Sequence, residues 1–76
     1  MKIPLFNIKL KDGTRLKDCS VFDANYVVID DRKKAELCFV ERLPYNSHVR
    51  IQNKFIQGKV SIKGIESWAF SREIEI

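Results

Sequence analysis

Seventy-six residues make room for one domain and not two, and a composition 45% hydrophobic and 32% charged belongs to a foldable chain rather than a disordered one. Fourteen Lys and Arg against ten Asp and Glu leave a formal net charge of +4 and a pI near 9.3, which permits a polyanionic partner without demanding one. One histidine and two cysteines are too few for a zinc site, and no apolar run approaches the ~20 residues that span a bilayer.

The opening Met1-Lys2-Ile3-Pro4-Leu5-Phe6 lacks the apolar stretch of a signal peptide, so the expected setting is reduced and cytoplasmic, with no membrane. Period-two alternation then dominates. Phe6, Ile8 and Leu10 alternate with Asn7 and Lys9, the pattern of a half-buried strand. Asp12-Gly13 reads as a hairpin turn, because glycine tolerates positive φ and aspartate bonds its own backbone. A second strand is expected from about Arg15 to Phe22, with Cys19 and Val21 on one face. Each cysteine lies in an apolar stretch, as buried reduced cysteines do, although a disulfide between Cys19 and Cys38 stays open.

Asp23-Ala24-Asn25 breaks the second strand. Tyr26-Val27-Val28-Ile29, β-branched and apolar on both faces, reads as a central strand. Asp30 to Lys34 reads as a charged turn, and Leu37-Cys38-Phe39-Val40 as the returning strand of a hairpin running from Tyr26 to Glu41. Leu43 to His48 is punctuated by Pro44 and Asn46-Ser47 and reads as a loop. Beyond it Val49, Ile51 and Phe55 alternate with Arg50, Gln52 and Lys54, and Val60 and Ile62 with Lys59, Ser61 and Lys63. The chain turns at Gly64 and ends in a strand in which Trp68 and Phe70 share a core-facing side. Its tail, Glu73-Ile74-Glu75-Ile76, either closes its own sheet or adds to a neighbouring subunit.

Catalytic signals are weak. His48 has no Ser, Cys or acid at a recognisable spacing, and Asp30-Asp31 beside Arg32-Lys33-Lys34 is better read as solvated than as a metal site. Gly13, Gly58 and Gly64 form no phosphate-cradling loop. The expectation is a protein that is not an enzyme and needs no cofactor or metal. The polar face of the hairpin from Val49 to Lys63 is more informative. Arg50, Gln52, Lys54, Lys59, Ser61 and Lys63 are expected to point one way with no acid among them, as a surface tracking phosphates would require. The plain alternative is a solvated face whose lysines discourage edge-to-edge aggregation.

Two passages bring a family into view. Ile8 to Leu16, continuing through Val21-Phe22-Asp23-Ala24-Asn25-Tyr26 to Asp31, resembles the first motif of the Sm, Lsm and Hfq-like proteins. Gly58 to Trp68, where a strand ends in Lys63-Gly64, is similar to the second. The resemblance implies a strongly bent five-stranded SH3-like barrel that assembles into rings and binds uridine-rich single-stranded RNA. It further implies a base pocket at Asp23, Asn25, Lys63 and Gly64, with Tyr26 beside them.

The combined expectation is a single all-β domain, residues 1–76: a small SH3-like or Sm-like barrel of five to six antiparallel strands with little or no helix. The alternative architecture is an open, curved antiparallel sheet completed by a partner chain. A domain this small is marginal alone, so a homo-oligomer is a natural expectation. The expected function is non-catalytic binding of single-stranded RNA or other nucleic acid. Arg50, Gln52, Lys54, Lys59, Lys63, Gly64, Asp23, Asn25 and Tyr26 are the candidate contacts. The alternative is a small protein-interaction module, such as a phage- or mobile-element-encoded inhibitor or adaptor docking on a host protein through Tyr45, His48 and the basic hairpin.

Overall fold

Alternation at period two produces strands where expected at both ends of the chain. The computed structural model describes residues 1–40 and 48–76. Strands β1 (Lys2–Leu10) and β2 (Arg15–Phe22) form the first hairpin. Its turn is held by the Thr14 N–H donating to Asp12 Oδ1 at 2.8 Å, by Gly13 at φ +94°, and by reciprocal backbone bonds between Leu10 and the turn. Strands β3 (His48–Gln52) and β4 (Gln57–Ser61) form the second hairpin, and a 3-10 turn at Ile62–Gly64 leads into β5 (Ile65–Glu75). The five strands are antiparallel in the order β4-β3-β2-β1-β5.

β2 is shared between two halves of this sheet. Its first part pairs with β1, ending at Phe6 opposite Cys19, and Ser20–Phe22 pair with β3. The bend between the halves coincides with extra residues on both neighbours of β1. On β2, Phe6 and Ile8 of β1 face Cys19 and Leu16, so Asn7 spans two residues; on β5, Ser71 is left over between Phe70 and Arg72. Asp18 takes a left-handed φ of +54° at the β2 bulge. Its N–H donates to Asn7 Oδ1 at 3.1 Å, while its carboxylate accepts from the Ser71 hydroxyl at 2.7 Å and from Arg72 at 3.3 Å. One aspartate thus ties both bulges together across β1.

The bend lets both halves face one core. Phe6, Ile8, Leu16, Cys19, Val21, Val49, Ile51 and Ile62 are buried there together with Ala35 and Phe39. Phe6 meets Phe39, Trp68 and Phe70 at ring-centroid distances of 5.4, 6.0 and 5.9 Å, and Phe39 stacks on Trp68 at 5.1 Å. Trp68 and Phe70 therefore pack inward as their alternation predicts. Burying each such side chain contributes about 1.5–3 kcal/mol. Cys19 and Cys38 are both free, which removes the disulfide alternative. On the other side of β1, Ile3 and Leu5 are buried as well, beside Ile74 and Ile76. The tail closes its own sheet: Lys2 to Leu5 pair with Glu75 to Arg72, and backbone bonds join Met1 to Ile76.

The middle of the chain departs from expectation. Tyr26–Ile29 is not a central strand; among these residues only Val28 forms a bridge, to Phe22, and Tyr26 and Val27 are exposed. The cause is local. Asp23 Oδ1 accepts the N–H groups of Asn25 and Val27 at 2.8 and 3.0 Å, forcing a tight turn in which Tyr26 sits at φ +60°. Leu37–Val40, expected as a strand, ends α1 (Arg32–Val40). Asp31 is its N-cap, accepting the N–H groups of Lys33 at 2.8 Å and Lys34 at 3.5 Å. Ala35 and Phe39, four apart, face the core; Leu37 and Val40 stay exposed. Arg32 adds a bond to Glu36 at 2.6 Å and lies 3.9 Å from the Phe70 ring centroid. The expected loop from Leu43 to Ser47, with Tyr45, lies outside the described residues, as does Glu41. No described helix is long and apolar enough to cross a membrane.

Candidate nucleic-acid interface

Residues paired directly across an antiparallel ladder share a face, so the registers define the outer surface of the β2-β3-β4 half. Phe22, Arg50 and Lys59 form one rung, Ser20, Gln52 and Gln57 the next, and His48 with Ser61 the third. Val49 and Ile51 point inward and are buried. Arg50, Gln52, Lys59 and Ser61 therefore share a face as the alternation predicts.

Two cations stand opposite each other on the middle rung, an arrangement that destabilises a sheet unless something compensates. The compensation is aromatic. The Arg50 guanidinium lies 4.2 Å from the Tyr26 ring centroid, and the Tyr26 ring in turn sits 6.3 Å from Phe22. The Asp23 turn places Tyr26 there, since its left-handed backbone swings the ring back over the end of β2. The described ion pairs join Met1 to Glu75, Lys9 to Glu66, Arg32 to Glu36 and Arg72 to Asp18; none involves Arg50, Lys54, Lys59 or Lys63.

Other candidates lie elsewhere. Lys54 belongs to the β3–β4 turn rather than to a strand, with its ammonium 5.0 Å from the Phe55 ring. Lys63 also leaves the face. The 3-10 turn that seats Ile62 in the core carries it off the end of β4, exposed. Gly64 follows beside the first hairpin, its carbonyl accepting the Lys11 N–H at 2.8 Å. Asp23 is exposed, but one of its carboxylate oxygens is already committed to the turn, which accounts for that residue structurally. Asn25 is exposed on the same turn, next to Tyr26. His48 is exposed at the start of β3, opposite Ser61. Tyr45 lies outside the described residues.

Two further residues join this surface through the registers, and a third stands exposed at the turn beyond it. Phe22 and Gln57 join it through registers that no single strand reveals. Phe55, expected on the buried side of the hairpin, is 80% exposed. The local signal was Asn53: its Oδ1 accepts the N–H groups of Phe55 at 2.8 Å and Ile56 at 2.7 Å, so alternation stops at the turn. Among the described residues, no group of three His, Cys, Asp or Glu side chains could hold a metal ion.

A groove of about 530 Å³ opens between the Asp23–Asp30 segment, α1 and the start of β3, with Val27, Val28, Leu37 and Cys38 on its apolar walls and with Phe22, Asn25 and His48 shared with the surface just described. Neither protein-family models, nor curated proteins, nor solved structures match this chain.

Proposed function

We propose that this protein is a non-catalytic module that binds single-stranded nucleic acid, RNA in preference, on the outer face of β3 and β4. One observation carries the reading: Arg50 and Lys59 oppose each other on a single rung, outside every described ion pair, with Arg50 stacked on half-exposed Tyr26. The ring contact steadies Arg50 but leaves both positive charges in place, and an anion laid between them would relieve the remaining repulsion. Phosphates would lie along Lys59 and Arg50, releasing counterions, with Lys54 extending the track. Gln52, Gln57 and Asn25 supply amides that can read base edges, and Tyr26 offers a ring face. The preference for RNA rests on the resemblance of two passages to the Sm-like motifs; Lys63-Gly64 then belongs to a neighbouring surface.

Fluorescence anisotropy with labelled oligouridine, oligoadenine and duplex DNA, across a salt series, tests the proposal. Binding to single strands should weaken as salt rises, by roughly 0.7 log units in affinity per log unit of salt for each phosphate contact. Lys59→Glu should weaken binding about tenfold or more. It should leave the thermal midpoint unchanged or slightly raised, because it turns a like-charge rung into an opposite-charge pair worth about 0.2–1 kcal/mol. Absence of binding at low salt, or a Lys59→Glu protein that binds like wild type, would sink the proposal.

A protein-docking reading is favoured by the groove, where Leu37 and Val27 leave apolar surface exposed. A pull-down that survives nuclease treatment and is lost on Leu37→Glu would support it.

A further inference from the structure

The tip of the β3–β4 hairpin combines rigidity with an exposed ring. Asn53 Oδ1 accepts two turn N–H groups, and the Asn53 N–H returns to the Ile56 carbonyl at 2.9 Å, so three bonds hold the turn that carries Phe55. Phe6 and Phe39 are buried and Phe22 and Phe70 partly so, while Phe55 alone of the phenylalanines stands in solvent, 80% exposed. Its neighbour Ile56 packs against the core, so the hairpin has an apolar anchor without it. The fold gives Phe55 no role.

Its position relative to the basic rung does suggest one. Arg50 and Lys59 lie one side-chain repeat from Gln52 and Gln57, and the Phe55 turn follows directly. Two residues along a strand advance about 6.8 Å, so a strand laid from the Tyr26 ring over Lys59 would reach the tip within a few nucleotides. Lys54, its ammonium above the Phe55 ring, stands where it could meet the phosphate of a base stacked there.

Building on the function proposed above, we infer that Phe55 is a second stacking platform, which takes a base at one end of a single-stranded segment whose other end rests on Tyr26. The site thus spans about four nucleotides, the lower end of what a small barrel domain occupies. It selects single strands, since the faces of a base inside a duplex are already covered by its stacked neighbours.

A ladder of oligouridines of two, four, six and eight nucleotides, titrated against wild type, Phe55→Ala, Phe55→Trp and Lys59→Glu, tests this. For the six- and eight-nucleotide strands, Phe55→Ala should weaken binding about tenfold, within the range of one lost base stack. The slope of affinity with salt and the thermal midpoint should not change, because no charge and no core contact is removed. The two-nucleotide strand should lose little. Phe55→Trp should restore affinity and show its indole emission quenched on titration. If Phe55→Ala binds every length like wild type while Lys59→Glu is impaired, the platform is refuted and the basic face stands. A lowered thermal midpoint in Phe55→Ala would assign the ring to folding and also overturn the inference. A wild-type protein that binds no strand refutes both readings.

Discussion

Among single residues, Cys19 couples the core to pH. Burial disfavours its thiolate and pushes the thiol up from an ordinary 9.0 to about 11. The folded state therefore holds a proton that the unfolded chain releases above pH 9. The contribution is fully present below that value and is lost as pH rises toward 11. Thermal midpoints measured from pH 7 to 11 should fall more steeply above pH 9 for wild type than for Cys19→Ala, after each curve is referred to its own value at pH 7. Parallel curves would remove Cys19 from the account. At this scale some features were legible and others were not. Asp12-Gly13 announced its turn because glycine and aspartate act through their own backbone. Asp18 and Tyr26 both take left-handed conformations without glycine: the Asp18 bulge is tied to Ser71 and Arg72, remote in sequence and invisible locally, whereas the Tyr26 turn is set by Asp23 three residues before it.

Among elements, α1 shows how a short helix hides. Only Ala35 and Phe39 are buried along it, so its apolar stripe is two residues long, while the contiguous run Leu37–Val40 imitates a strand. The informative residue was Asp31, a good N-cap standing before Lys33 and Lys34. Replacing it by alanine should cost about 1 kcal/mol, a fall of about 4–8 °C in thermal midpoint for a domain of this size. Binding to single strands should stay at the wild-type level, since the helix does not contribute to the basic face. An unchanged midpoint would mean that the two capping bonds carry little stability. The strands were more legible because each has one wet and one dry side: Arg15–Phe22 and the alternation around Val49, Ile51 and Val60 follow that division. It failed at Phe55, where the Asn53 turn interrupts the ladder.

Taken whole, the molecule is a five-stranded antiparallel sheet bent at paired bulges, with a helix over its core. The predominance of strands was legible, as was the shared face of Arg50, Gln52, Lys59 and Ser61. Tyr26 was grouped with them through the resemblance to the Sm-like motifs, but the shared rung of Phe22, Arg50 and Lys59 was not legible, because it depends on how β2 passes from one half of the sheet to the other. The β1–β5 ladder dominates the other half. Removing Glu73–Ile76 uncovers Ile3 and leaves the first residues of β1 without their partners. Exposing Ile3 alone should cost about 1.5–3 kcal/mol, a large share of the roughly 4–11 kcal/mol available to such a domain. Urea unfolding of the truncated chain should show this as a lower midpoint, and an unaltered midpoint would mean that the tail contributes little.

That same ladder sets the order in which the protein can assemble during synthesis. β1 leaves the ribosome before β5 and can pair with β2 first, while its second neighbour is still to be made. Until then Ile3, Pro4 and Leu5 form an apolar edge with open backbone groups, the kind of segment that other nascent chains can capture. Pairing of β1 with β5 also closes the longest loop among the five strands, so completion of the sheet should be slow.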